Sequence, residues 1–362
     1  MYSTPIDESR RRAIRRRRCH GYSLQFFDSA RARLATLSFV GSLTFPVRIV
    51  SLLPSATEIV CAVGGGGEIV GRSHECDHPA GIDALPVLTS ARIGPIVASK
   101  AIDTAIREVL KNALAVYDID VEKLREVRPD VIVTQDLCDV CAVSLDDVRA
   151  AVARLAQRDV RIANLHPTRL DDVWTDIQRV ADAIGRSDAG KEVVAELAAR
   201  VERIGARARE AAARPTVLSI EWIDPVMVGG MWMPELIALA GGAPLVTRPG
   251  EHAPTLDKEQ LAALDPEVIL VKPCGFDLER TLAELGVLRE SLPWTAWGGV
   301  ETRRVYIADG NAYFNRPGPR IVESLEILAA CVHPEPFRDF AEKHRRSFVR
   351  LGPDFAPVDP AA

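Results

Sequence analysis

Arg128-Pro-Asp-Val-Ile-Val133 returns later in the chain as Asp265-Pro-Glu-Val-Ile-Leu270. Each copy follows a helix-forming stretch, interrupts it with a proline beside an acidic residue, and runs into a short apolar segment rich in β-branched side chains. Proline halts a helix because it lacks the amide proton and crowds the preceding turn, and a short apolar run bounded by turn signals reads as a strand buried on both faces. The same helix, proline, strand order at two places points to two related α/β halves.

Working outward from the first copy, Val47-Arg-Ile-Val-Ser-Leu-Leu53 reads as a buried strand, and Pro54-Ser-Ala-Thr-Glu58 as a turn entering a helix, with Ser55 or Thr57 placed to cap it. That helix stops at Gly64–Gly67, a turn with no phosphate-binding Lys-Ser/Thr after it. Glu68–Arg72, Val131–Thr134 and Val160–Ala163 read as further strands, and Asp103–Tyr117, Val121–Val127 and Leu145–Ala156 as helices. From Leu170 to Ala213 the composition favours helix, broken near Gly185-Arg-Ser187. The second piece is long enough to bridge two lobes. After Pro215 the alternation restarts, with strands at Thr216–Ile220, Val268–Val271 and Arg304–Ile307 and helices at Pro234–Ala240, Lys258–Leu264, Leu278–Leu285 and Arg320–Ala330. Strands alternating with helices make parallel sheets. The predicted fold is therefore α/β, two Rossmann-like lobes with mainly parallel sheets joined by one long helix, with a ligand cleft between the lobes. The predicted divisions are a basic, disordered extension over 1–46, a lobe over 47–168, a helical linker over 169–213, a lobe over 214–334, and a helix and tail over 335–362.

The 362 residues are 47% hydrophobic and 26% charged, an ordinary globular composition. The net charge of −5 hides an asymmetry, because residues 1–46 hold nine Arg against three acids and leave the remainder strongly acidic. An acidic folded part excludes nucleic acid as its partner. The arginines between Arg10 and Arg18, with the apolar Leu34–Phe45, look like parts of a secretory signal, but no small-residue cleavage site precedes Val47 and no segment spans a membrane. Seven cysteines, an odd number scattered over a long chain, read as free thiols in a reducing compartment. A cytoplasmic location is expected, with export as the alternative, and a monomer.

The chemistry-bearing residues fall on six loops that follow strands: Pro54–Glu58, Ser73–Pro79, Gln135–Ser144, Glu221–Trp232, Lys272–Asp277 and Asp309–Pro319. Loops at the carboxyl ends of strands build the crevice of an open α/β sheet, so two facing lobes gather all six into one cleft. Trp222, Trp232, Phe276, Tyr313 and Phe314 suit a large flat ligand with apolar faces, and His74, Asp136, Glu221, Asn311 and Arg316 its polar fringe. His74, Cys76, Cys138 and Cys141 also compose a candidate metal set for zinc or an iron–sulfur cluster, with Cys274 as a replacement ligand. The competing reading is that these cysteines are buried as small hydrophobes or touch a ligand. His166 and His333, beside prolines or element ends, read as structural or solvent-facing. No nucleophile elbow, HExxH or paired-carboxylate pattern argues for catalysis.

Taken together, Ser51-Leu-Leu-Pro-Ser-Ala-Thr-Glu58, Gly71-Arg-Ser-His-Glu-Cys-Asp77, Thr134–Ser144, Pro273-Cys-Gly-Phe-Asp277 and Asp309-Gly-Asn-Ala-Tyr-Phe-Asn-Arg-Pro-Gly-Pro-Arg320 resemble the substrate-binding proteins of iron-complex and vitamin B12 ABC importers, in the branch called cobalamin-binding proteins. The resemblance runs from Val47 to about Pro334. It implies two lobes on one long helix with little hinge motion, and cobalamin or another corrinoid held between them without catalysis. It further implies ligand contacts from the turn after the first strand, at Ser55, Ala56 and Thr57, and from Asn311–Arg316, and docking on an ABC permease through a surface glutamate, Glu122. His74 is placed to supply an axial nitrogen to cobalt. A metal-binding protein or metal-dependent enzyme using the Cys/His set, and a binder of another chelate such as a siderophore or haem, are the alternatives.

Overall fold

The computed structural model describes residues 46–94, 98–111, 116–137, 145–155 and 159–361. In the first lobe, β1 (Ile49–Ser51), β2 (Ile69–Arg72), β5 (Val131–Gln135) and β6 (Arg161–Leu165) form a parallel sheet in the order β2-β1-β5-β6. The side chains of β1 and β5 are buried throughout, as a strand covered on both faces requires. Helices α1 (Pro54–Ala62), α2 (Ser99–Lys111), α3 (Val121–Val127) and α4 (Leu145–Ala153) connect these strands. Two short strands between them, β3 (Thr89–Ala91) and β4 (Tyr117–Ile119), pair antiparallel. Tyr117 was expected to end a helix, but α2 stops at Lys111 and Tyr117 begins a strand.

The linker contains α5 (Leu170–Ala183) and the 23-residue α6 (Ser187–Arg209). They are separated at Gly185, whose φ of +75° is the left-handed geometry glycine adopts cheaply. In the second lobe, β7 (Thr216–Trp222), β10 (Val268–Val271) and β11 (Arg304–Ala308) are parallel, and β8 (Met227–Val228) and β9 (Ala243–Pro244) both pair with β7. Helices α7 (Met233–Leu239), α8 (Lys258–Ala262), α9 (Leu278–Ala283), α10 (Leu285–Ser291) and α11 (Ile321–Val332) complete the lobe. The last stretch departs from expectation. After a short α12 (Arg338–Lys343), β12 (Phe348–Leu351) extends the second sheet antiparallel to β11, and β13 (Pro357–Val358) pairs antiparallel with β12.

Residues 46–362 form one unit. One apolar cluster runs through both lobes, taking Ile49, Leu53, Ile59 and Val131 from the first, Val173 and Ile177 from α5, and Trp232, Leu236, Phe314 and Leu325 from the second. Relative motion of the lobes would open this shared core to water, which costs roughly 25 cal/mol for each Å² exposed. No helix among the described residues is long and apolar enough to cross a membrane.

Candidate functional site

Chain order reverses direction across each sheet. The first sheet builds outward to β2 on one side of β1 and to β6 on the other side of β5, so its crevice opens where β1 and β5 end, at Pro54-Ser55 and Asp136. The second sheet reverses between β7 and β10, which end at Trp222 and Val271, just before Lys272. These two points are where an α/β fold of this kind holds its ligand.

Along the first lobe, His74 lies on the loop after β2, with its ring 5.1 Å from that of Tyr117. The Tyr117 hydroxyl donates to Glu75 at 2.8 Å. Thr89 Oγ1 accepts the His74 backbone N–H at 3.0 Å and donates to Ser73 Oγ at 3.0 Å. Its 2.7 Å contact with His74 Nδ1 is therefore assigned, from this network, as a bond the ring donates. Burial above all pushes the His74 pKa down, so the ring is neutral near pH 7 and carries its free lone pair on Nε2. Asp136 accepts a hydrogen bond from His166 Nδ1 at 2.8 Å, which places His166 on a strand-end loop of this lobe beside a residue expected at the site. In the second lobe, Trp222 is half-buried and meets Phe276 edge-on at 5.2 Å, and the Arg280 guanidinium lies over the Phe276 ring at 3.7 Å.

The loops are tied across the lobes by charge. Arg316, from the loop after β11, grips Asp77 at 2.5 and 2.9 Å and reaches Glu58 at 3.4 Å. Arg320 takes both oxygens of Glu58 at 2.6 and 2.9 Å, and Asn311 donates to Asp77 at 3.0 Å. Burial alone would raise the Asp77 pKa, but the hydrogen bonds and charge of Arg316 outweigh it and hold the carboxyl below its ordinary value. On the same side of the second lobe, Lys272 is fully buried, donating to Glu221 at 2.9 Å and to Asn315 at 3.1 Å. Asn315 in turn donates to the Lys272 and Gly310 carbonyls. Gly310 packs so tightly on this strand end that a Cβ would sit 2.1 Å from the Pro273 carbonyl oxygen.

Several residues expected to touch ligand lie elsewhere. Trp232 and Phe314 belong to the shared core, where Trp232 Nε1–H donates to the Phe314 carbonyl at 2.8 Å. Their loops read as exposed, but the left-handed backbone at Phe314, φ +62°, turns the ring inward. Ala56 and Thr57 are buried in the first turns of α1, Phe276 is covered by Trp222 and Arg280, and Arg316 is spent on the first lobe's carboxylates. Ser55 is buried against Gly318. Tyr313 is partly buried, between the Arg320 guanidinium and the His344 ring. His74, Asp136, Glu221, Trp222 and Asn311 retain access to the strand-end space.

The metal set does not assemble among the described residues, which contain no group of three or more His, Cys, Asp or Glu able to hold an ion. Cys138 and Cys141 lie outside the described residues. Cys76 is buried and accepts from Thr57 Oγ1 at 3.1 Å, while His74 Nδ1 is directed at Thr89. Cys274 is exposed on the second lobe. A separate hollow of about 430 Å³ between α5, α6 and α7, lined by residues such as Leu170, Ala208 and Leu239, holds none of the strand-end side chains.

A family model described as periplasmic binding protein matches residues 49–312. The chain belongs to the periplasmic binding protein family. Among relatives of this periplasmic binding protein, the vitamin B12-binding protein of Vibrio cholerae is 22% identical over 290 residues, covering 78% of this chain and 88% of the relative. The Bacillus subtilis ABC transporter substrate-binding lipoprotein YvrC is 21% identical over 301 residues, covering 81% and 82% respectively. In fold, the periplasmic haem-binding protein RhuT of Roseiflexus superposes with a TM-score of 0.61 at 22% identity, covering 80% of this chain and 99% of that one. The cytoplasmic expectation is thereby corrected. The matched family is described as periplasmic and the Bacillus relative as a lipoprotein, which contradicts a cytoplasmic location. The cysteine count misled because Cys76 and Cys331 are buried, where burial raises their pKa values and keeps the thiols protonated and unreactive in any compartment.

Glu58, Asp77, Arg320, Lys272 and Tyr117 escaped the sequence reading as site residues. Glu58, Asp77 and Arg320 stand inside the quoted motifs, and their unlike charges on different loops were the available signal.

Proposed function

We propose that this chain is the substrate-binding component of an ABC uptake system for a corrinoid, held between the lobes without chemical change. The observation that carries the proposal is the pairing of switch points, one flanked by the neutral His74 and Tyr117, the other by the half-buried Trp222 on Phe276. A flat macrocycle needs apolar faces on both sides and a few convergent polar groups, and these loops offer both. The name of the Vibrio relative supports the same ligand class. His74 Nε2 is the candidate axial donor to cobalt, with Asp136, Glu221 and Asn311 as polar contacts. Glu122, exposed in the first turn of α3, is the candidate permease contact.

Titration with hydroxocobalamin, followed by absorption and gel filtration, tests the proposal. The expected result is co-elution and a shift of the corrin bands, with the imidazole-dependent part of the shift lost in His74→Ala. Neither co-elution nor a shift with the intact chain sinks it, and a shift with haem alone moves the assignment to haem.

A further inference from the structure

The described residues of the six strand-end loops carry eight Asp and Glu but just two Lys or Arg, Lys272 and Arg316. Both cations are already neutralised. Lys272 is buried against Glu221 and Asn315, and Arg316 against Asp77 and Glu58. Arg320, one residue beyond, is held by both oxygens of Glu58. Among the described residues, the unpaired buried polar atoms on these loops belong to neutral side chains. Ser55 Oγ and Gln135 Oε1, on residues more than nine-tenths buried, and Trp222 Nε1 have no hydrogen-bond partner. A buried polar atom left unpaired is costly, and a ligand group that pairs it recovers that cost.

We infer that the cleft selects its ligand by peripheral charge, accepting a macrocycle fringed with carboxamides and rejecting one fringed with carboxylates. Asp77 and Glu58 set this preference by occupying Arg316 and Arg320, cations that a carboxylate would need. A carboxamide supplies an N–H for an acceptor such as Gln135 and a carbonyl for a donor such as Trp222. A carboxylate supplies acceptors alone and enters a space already rich in negative charge, an arrangement that rejects by repulsion as much as by lost contacts. The inference rests on the corrinoid proposal and narrows it.

The experiment compares two ligands built on one ring, dicyanocobinamide with amide side chains and dicyanocobyrinic acid with carboxylates, alongside haem. Kd values are measured by tryptophan fluorescence quenching on the full chain at pH 7.5, for the parent and for Asp77→Asn. For the parent, cobinamide is expected to bind at least tenfold more tightly than cobyrinic acid. Asp77→Asn, which removes the nearer of the two carboxylates paired with Arg316, is expected to shift the ratio of the two Kd values severalfold toward the acid, with thermal melting reporting that the variant is folded. Equal or tighter binding of cobyrinic acid or haem by the parent overturns the inference while leaving a macrocycle-binding function standing. An unchanged ratio in folded Asp77→Asn overturns the role given to Asp77. Binding of none of the three ligands overturns the corrinoid proposal itself.

Discussion

Two tryptophans that look alike in the sequence have different surroundings. Trp222 keeps part of its ring in the strand-end space, whereas Trp232 is buried and bonded to the Phe314 carbonyl. Trp222→Ala is expected to leave the melting temperature nearly unchanged while weakening corrinoid binding by about 2 kcal/mol, roughly thirtyfold in Kd. Trp232→Ala is expected to remove about 3–5 kcal/mol of stability by denaturant titration, because it opens a cavity in the core that both lobes share. Equal effects of the two substitutions on stability would refute the distinction. At this scale the sequence was a partial guide. Both residues fall in the one stretch read as a loop, Glu221–Trp232, and what separates them is a left-handed residue, Phe314, far away in the chain. Local composition carries no record of that turn.

Elements were legible where their pattern was long or strongly apolar. The strands at Val131 and Val268, and the division of the linker at Gly185, lie where periodicity and proline and glycine placement put them. The short β3, β4 and β12 were not, because strands of three or four residues are defined by their partners rather than by their own period. The same holds for the ties between elements. Glu326 on α11 accepts from Arg200 of α6 at 2.9 Å and from Lys343 and His344 after it at 2.6 and 2.7 Å. Against the upward pull of burial, these partners lower its pKa to about 2. Removing the carboxylate leaves three donors around a buried gap, so Glu326→Ala is expected to cost about 3–5 kcal/mol. Guanidinium unfolding measures it, and a loss under about 1 kcal/mol would show the cluster to be dispensable.

For the whole molecule, Glu326 and Asp77 share a sign. Each is a carboxyl whose pKa is lower folded than unfolded. Such groups contribute their stability above the unfolded value, and it is lost as pH falls through the folded one. The stability that these two carboxylates contribute is therefore expected to hold above about pH 5 and to be lost as pH falls from about 4 toward 2. Melting in matched buffers checks this, and an acid-independent melt would contradict it. Saturation with hydroxocobalamin is expected to leave the radius of gyration within about 1 Å of its free value by small-angle scattering, since closure would shear the common core. The two-lobed α/β plan and the place of the crevice could be read from alternating strands and loops, but the continuity of the core between the lobes could not, since it joins residues as remote as Ile49 and Phe314. That continuity has a practical meaning for anyone dissecting the protein. Produced apart, fragments 46–168 and 169–362 would each present half of an apolar surface to water and aggregate. Co-expressed, each would act as the other's chaperone, and recovery of a soluble heterodimer would report how completely the two sheets depend on one interior.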